Sequence, residues 1–143
     1  MKMTNAQAEA QWELGKLLHD LDMQCAARMR DWVTPLGLTV AQASALHEMS
    51  GPMTMKELAQ KMSCEPSNAT IIIDKLESQQ LIERHPHPTD RRAKQLVLTS
   101  EGTALRAKVL EAVSREPVFP GLAEPELKAL EGLLQQSLSA GSS

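Results

Sequence analysis

LAQKMSCEPSNATIIIDKLE, residues 58 to 77, is the stretch from which the rest of the chain is read. Leu58 and Met62 give a short helix its inward side, and Ser63-Cys64-Glu65-Pro66 is a tight link. Pro66 suits the first turn of the next helix, where its missing N–H costs nothing. Three consecutive isoleucines, 71 to 73, read as strand when taken alone. Pro66 before them and Asp74-Lys75-Leu76-Glu77 after them continue a helical period and predict a helix from 66 to about 79. At about 100° per residue, Ala69, Ile72, Ile73 and Leu76 cluster on one face. Ser67, Ile71, Asp74, Lys75 and Ser78 fall on the opposite face, with Asn68 and Thr70 on its flanks.

Working toward the C-terminus, Leu81–Arg84 and Gln95–Leu98 are short strand candidates. His85-Pro86-His87-Pro88-Thr89-Asp90-Arg91-Arg92-Ala93-Lys94 lies between them, so the unit is a hairpin with a long polar tip. Thr99-Ser100-Glu101 caps a helix to about Ser114, and a leucine-rich helix is predicted over roughly 124–138, ahead of a loose tail from Ala140 to Ser143. Leu122 is placed to act as a hydrophobic staple for that last helix. Toward the N-terminus, Thr54-Met55-Lys56-Glu57 and Thr39-Val40-Ala41-Gln42 have the form of capping boxes, opening helices to about Met62 and Ser50. Residues 5–33 read as one long amphipathic helix, with Leu14, Leu17, Leu18, Leu21, Cys25, Met29 and Trp32 at spacings of three and four. Two short helices, a tight turn and a hairpin predict a winged helix-turn-helix. The expected fold is mainly α with a small β-wing. Its division is an N-terminal dimerisation helix (1–33), a DNA-binding winged helix-turn-helix (34–100) and C-terminal dimerisation helices (101–143).

Composition bounds the function. The 143 residues carry a net charge of −3 and no tyrosine, and the aromatics are Trp12, Trp32 and Phe119. A polybasic nucleic-acid coat is excluded, and stacking of single-stranded bases on aromatic platforms is disfavoured. Two cysteines, Cys25 and Cys64, make neither a disulfide scaffold nor a four-thiolate zinc site. No apolar run has membrane-span length and the first residues lack a signal-peptide core, so a reduced, cytoplasmic protein without membrane association is expected.

The outer face of the 66–79 helix is small and polar near its start, as entry into a major groove requires. Short side chains admit the backbone, and donors and acceptors read base edges. Arg91, Arg92 and Lys94 on the hairpin tip suit the narrow minor groove of A·T stretches. Asp90 beside the arginines either orients one of them or makes the turn. An ordinary surface helix and a solvated charge cluster are the plainer readings of the same residues.

Leu58-Ala59-Gln60-Lys61-Met62, Pro66-Ser67-Asn68-Ala69-Thr70, Asp74-Lys75-Leu76-Glu77, Leu81-Ile82-Glu83-Arg84, Asp90-Arg91-Arg92 and Leu98-Thr99-Ser100-Glu101-Gly102 together resemble the multiple-antibiotic-resistance regulator (MarR) family. The Asp-x-Arg wing followed by Leu-Thr-x-x-Gly carries most of the likeness. The resemblance implies a homodimeric transcription regulator on a pseudo-palindromic double-stranded site, a repressor released by a small amphipathic or phenolic effector. It implies that the N- and C-terminal helices pair the subunits, that the 66–79 helix enters the major groove and that Arg92 enters the minor groove. Pro66, Ser67, Asn68, Thr70, Ile71, Asp74, Lys75, Arg91, Arg92 and Lys94 are then the candidate DNA-binding residues, with Asp90 supporting the wing. Two departures stand out. Ile71, at a position often polar or basic in the family, is expected to meet a thymine methyl, and Glu65, where aspartate is common, is a poorer helix cap.

Trp12, His19, Met23, Met29, Trp32 and His47 are candidate effector-lining residues, each with packing or surface as the plainer role. Cys25 lies where peroxide-sensing relatives keep a reactive thiol. Those relatives hold the thiolate with tyrosine, which this chain lacks, so a structural thiol is expected. His85-Pro86-His87 has a metal-like alternation, but Asp90 is the one carboxylate in that loop, so no metal and no cofactor are expected. The competing classes are an enzyme, for which no nucleophile elbow, zincin or phosphate-loop motif is present, a thiol-based redox-sensing regulator, and a winged-helix interaction protein that has lost DNA binding.

Overall fold

A computed structural model describes residues 1–142. Its order is α1 (Asn5–Val33), a single 3-10 turn (Thr34–Leu36), α2 (Val40–Glu48), α3 (Met55–Lys61), α4 (Pro66–Ser78), β1 (Ile82–Pro86), β2 (Lys94–Leu98), α5 (Ser100–Ser114) and α6 (Glu124–Gly141). The expected mainly helical fold with a two-stranded wing is the one observed.

Threonines set most helix starts. The Thr4, Thr39, Thr54 and Thr99 side chains each accept a backbone N–H from the residue three along. The capping box at Thr39 is complete, and one at Thr4 that the sequence reading passed over is complete too. The box expected at Thr54 is half made. The Thr54 Oγ1 accepts the Glu57 N–H, but the Glu57 carboxylate receives the Thr54 hydroxyl rather than its amide. α2 ends at Glu48 rather than Ser50 because Met49 leaves helical geometry, and α6 runs through the expected loose tail to Gly141. Ser143 lies outside the described residues.

β1 and β2 pair antiparallel with Ile82 opposite Leu98 and Pro86 opposite Lys94, so the wing loop is shorter than expected, 87–93. Met53 and Leu96 exchange both backbone hydrogen bonds and dock the wing on the α2–α3 connection. The core is made by Val33, Leu38, Leu46, Met49, Leu58, Ile73, Leu76, Ile82, Leu96 and Val109, which come from α1 to α5, both strands and the connections on either side of α2. Arg106 of α5 reinforces it by donating to the Leu46 and His47 carbonyls at 3.0–3.2 Å, a cation at the C-terminal end of α2.

The periphery is different. Val33 is the single fully buried residue of α1, and α6 has none. Trp12, Leu14, Leu17, Leu18 and Met23 on α1, and Leu133 and Leu138 on α6, are exposed.

Candidate nucleic-acid interface

The groove-facing helix is α4, and its orientation follows from burial. Ala69, Ile73 and Leu76 are fully buried and Ile72 is half-buried. That anchors the inner face and turns Pro66, Ser67, Asn68, Ile71, Asp74, Lys75 and Ser78 outward. Ile71 is 68% exposed at the centre of that face. It is therefore not a core residue, although it is flanked by one. Thr70 sits at the edge, half-buried, and its hydroxyl donates to the Pro66 carbonyl at 2.9 Å. Glu65 makes no side-chain cap, as expected from the length of glutamate, and the helix still starts at Pro66. Pro66 contributes no N–H, and the Asn68 and Ala69 amides donate to the Glu65 carbonyl at 3.0 and 3.1 Å.

The turn before α4 is built without glycine. Ser63 takes φ +53°, its N–H donates to the Gln60 carbonyl at 3.1 Å, and the Cys64 N–H donates to the Ala59 carbonyl at 3.0 Å. This Schellman closure sets the angle between α3 and α4. α4 ends in the same way, with Gln80 at φ +63° and the Leu81 N–H on the Leu76 carbonyl.

In the wing, Asp90 proves to be the turn residue. Its Oδ1 accepts the Arg92 N–H at 3.0 Å, and its carbonyl accepts the Ala93 N–H at 3.2 Å. His87 Nδ1 accepts the amides of Thr89 and Asp90. Arg91, Arg92 and Lys94 are exposed and enter no ion pair among the described residues. Arg84, absent from the sequence candidates, bridges the wing to α4. It pairs with Asp74, and its Nε lies 3.5 Å from Glu77. Asp74 is thus on the outer face as expected, but its carboxylate is already held by the wing.

Lys56 is a second residue that sequence reasoning missed. With Arg84, Arg92 and Lys94 it lines a groove of about 310 Å³ between the start of α3 and the wing. The docking of Met53 against Leu96 creates this neighbourhood, and no local pattern announces it. In a chain of net charge −3, Lys56, Arg92 and Lys94, which enter no ion pair among the described residues, are gathered between the start of α3 and the wing, and Arg84 in the same groove pairs with Asp74 of α4.

The six effector candidates do not converge within the chain. Trp12 and His19 line one shallow groove along α1, while Trp32 lines a separate cleft of about 430 Å³ with Asp31, Lys108, Glu111 and Arg115. Met23 is exposed, Met29 packs beside Cys25 with the sulfurs 3.9 Å apart, and His47 is exposed next to Glu48. Five of the six are strung along the 29-residue α1, from Trp12 to Trp32, and His47 lies on α2. Burial, and after it the nearby Asp22 carboxylate, push the Cys25 thiol above its ordinary pKa, which disfavours the thiolate. His85 Nε2 is bonded to Glu83 at 2.9 Å. Among the described residues no three His, Cys, Asp or Glu side chains gather as a metal site, and no helix is long and apolar enough to cross a membrane.

Comparison with known proteins bears on this surface. The model of the MarR family matches residues 38–94. The multiple antibiotic resistance protein MarR of Escherichia coli is 27% identical over 130 residues, 87% of this chain and 90% of that protein. The HTH-type transcriptional repressor MdtR of Bacillus subtilis is 37% identical over 78 residues, 54% of this chain and 48% of that protein. A crystal structure of an E. coli MarR cysteine-to-serine mutant complexed with operator DNA superposes with a TM-score of 0.78, at 27% identity, covering 88% of this chain and 94% of that one.

Proposed function

We propose that the chain is a MarR-family winged-helix protein, and on that premise a homodimeric, sequence-specific double-stranded DNA-binding regulator of transcription. Each subunit presents α4 to a major groove through Ser67, Asn68, Thr70, Ile71 and Lys75, with Pro66 at the entry. Arg92 reaches the adjacent minor groove, Arg91 and Lys94 meet phosphates, and Asp90 holds the wing turn. Asp74 acts through Arg84 as a strut between helix and wing. The observation that carries the reading is the polar, outward face of α4 tied through Arg84 to a wing whose Arg91, Arg92 and Lys94 enter no ion pair among the described residues. Its relatives MarR, solved on operator DNA, and MdtR, a repressor, favour repression from a site in the cytoplasm and a role other than catalysis.

The dimer follows from the uncovered apolar faces of α1 and α6, which a single subunit leaves in water. An amphipathic effector finds its best ground in the Trp32 cleft. An indole wall stands there beside Lys108 and Arg115, at the junction of α1 with α5, where a ligand would bias the relative placement of those two helices. Selection from a random duplex pool tests the proposal. The expected product is a pseudo-palindrome with half-sites about 10 base pairs apart and an affinity that falls steeply with salt. A pool that shows no enrichment at low ionic strength overturns it.

A further inference from the structure

We propose that His87 is the positioning residue of the wing: its imidazole holds the loop from which Arg91 and Arg92 project, so DNA affinity depends on an unprotonated Nδ1. The inference rests on the DNA-binding reading above and deepens it.

Residues 88–92 are exposed, so no packing holds them. What closes the loop is a relay of local hydrogen bonds. The Asp90 amide donates to His87 Nδ1 at 3.0 Å and the Thr89 amide at 3.2 Å, with the Thr89 hydroxyl 3.4 Å away. Asp90, so placed, accepts the Arg92 amide at 3.0 Å on its carboxylate. The His87 amide reaches across to the Ala93 carbonyl at 3.4 Å. Two backbone donors on one ring nitrogen require its lone pair, and therefore the tautomer with the proton on Nε2. His87 does for this turn what a side-chain oxygen of asparagine or aspartate does for most.

A proton on Nδ1 converts that acceptor into a donor facing two donors, with the Thr89 hydroxyl oxygen 3.4 Å away. Asp90 then loses its anchor, and with it the placement of Arg92. The charged and titratable groups around the tip are His85, Asp90, Arg91, Arg92 and Lys94 of the hairpin, with Arg84 of β1 and Lys56 of α3 across the groove. Wing order, and the share of affinity that the arginines supply, are complete with His87 neutral. Both decline when the ring takes up a second proton.

The test compares wild type, His87→Asn and His87→Ala on a selected duplex at about pH 8 and about pH 5.5, where imidazoles change charge. Asparagine places Oδ1 near the position of Nδ1 and does not titrate. At the higher pH, wild type and His87→Asn should bind alike, and His87→Ala should lose about tenfold or more. On acidification the wild type should lose about tenfold more than His87→Asn. In the free protein, the ¹⁵N spectrum of His87 should report the Nε2–H tautomer. Exchange of the Asp90 amide should speed up in His87→Ala and stay slow in His87→Asn, with the thermal midpoint unchanged. The proposal is overturned if His87→Ala binds like wild type, or if wild type and His87→Asn share one pH profile. Tighter wild-type binding in acid overturns it as well, because that marks an imidazolium on a phosphate. A wild type that selects no duplex sinks the DNA reading instead, and the tautomer and exchange measurements still decide the role of His87 in the loop.

Discussion

Gly102 is the residue whose missing side chain matters most. A Cβ there would lie 2.0 Å from the Leu81 carbonyl oxygen, a backbone atom that also accepts the Thr99 N–H. The Thr99 hydroxyl donates to the neighbouring Gln80 carbonyl at 2.7 Å, so Leu-Thr-x-x-Gly is the clasp that ties the start of α5 to the exit of α4. Gly102→Ala should cost about 1–3 kcal/mol or more, since backbone must move, and a denaturant midpoint will register it. Arg92 obeys the opposite logic, being exposed and unpaired. Arg92→Ala should leave the melting temperature unchanged while weakening duplex binding by about 1–3 kcal/mol per affected contact. Cys25, with its thiol pKa raised by burial, is protonated at neutral pH. It should be alkylated more slowly than free cysteine, and the rate should rise only on going well into alkaline solution; fast alkylation at neutral pH would favour a redox sensor.

At the scale of elements, both helices of the helix-turn-helix end through left-handed residues other than glycine. Ser63 and Gln80 carry the roughly 1 kcal/mol penalty of a Cβ in that region, which a glycine escapes. Each of Ser63→Gly and Gln80→Gly should therefore stabilise the fold slightly, by up to about 1 kcal/mol after the added freedom of the unfolded chain is subtracted. Thermal melts of the two variants check this, and a clear loss of stability would mean that the side chains hold the turns. The Arg84 pairs with Asp74 and Glu77 belong to this scale as well, since they lock β1 to α4 and so fix the wing relative to the helix it assists.

For the whole molecule the deciding quantity is apolar surface left in water. Trp12 is 78% exposed and Leu138 70%, on helices that the core scarcely uses. Pairing two subunits through α1 and α6 removes that surface, and light scattering at micromolar concentration should give twice the chain mass of 15.7 kDa. Leu138→Glu, which puts a charge on that face, should shift the population toward monomer and weaken operator binding together, because one duplex engages both subunits. A monomer that binds DNA at full affinity would refute this coupling.

Helical periods, threonine caps and the proline at 66 were enough to place the long helices, the turn before α4 and the outward aim of Ile71, because each depends on neighbours within four or five residues. The proline-broken, charged segment announced a wing, and Asp90 its turn. Tertiary structure alone decided that Met53 meets Leu96, that Lys56 stands beside Arg92, that Arg84 reaches Asp74, and that Trp12 and Trp32 lie at different sites. Those pairings join residues far apart in sequence, and they arise from how the buried faces of α2, α3, α4 and the hairpin fill one core. A one-dimensional pattern records which face is apolar, but not which other face it will meet.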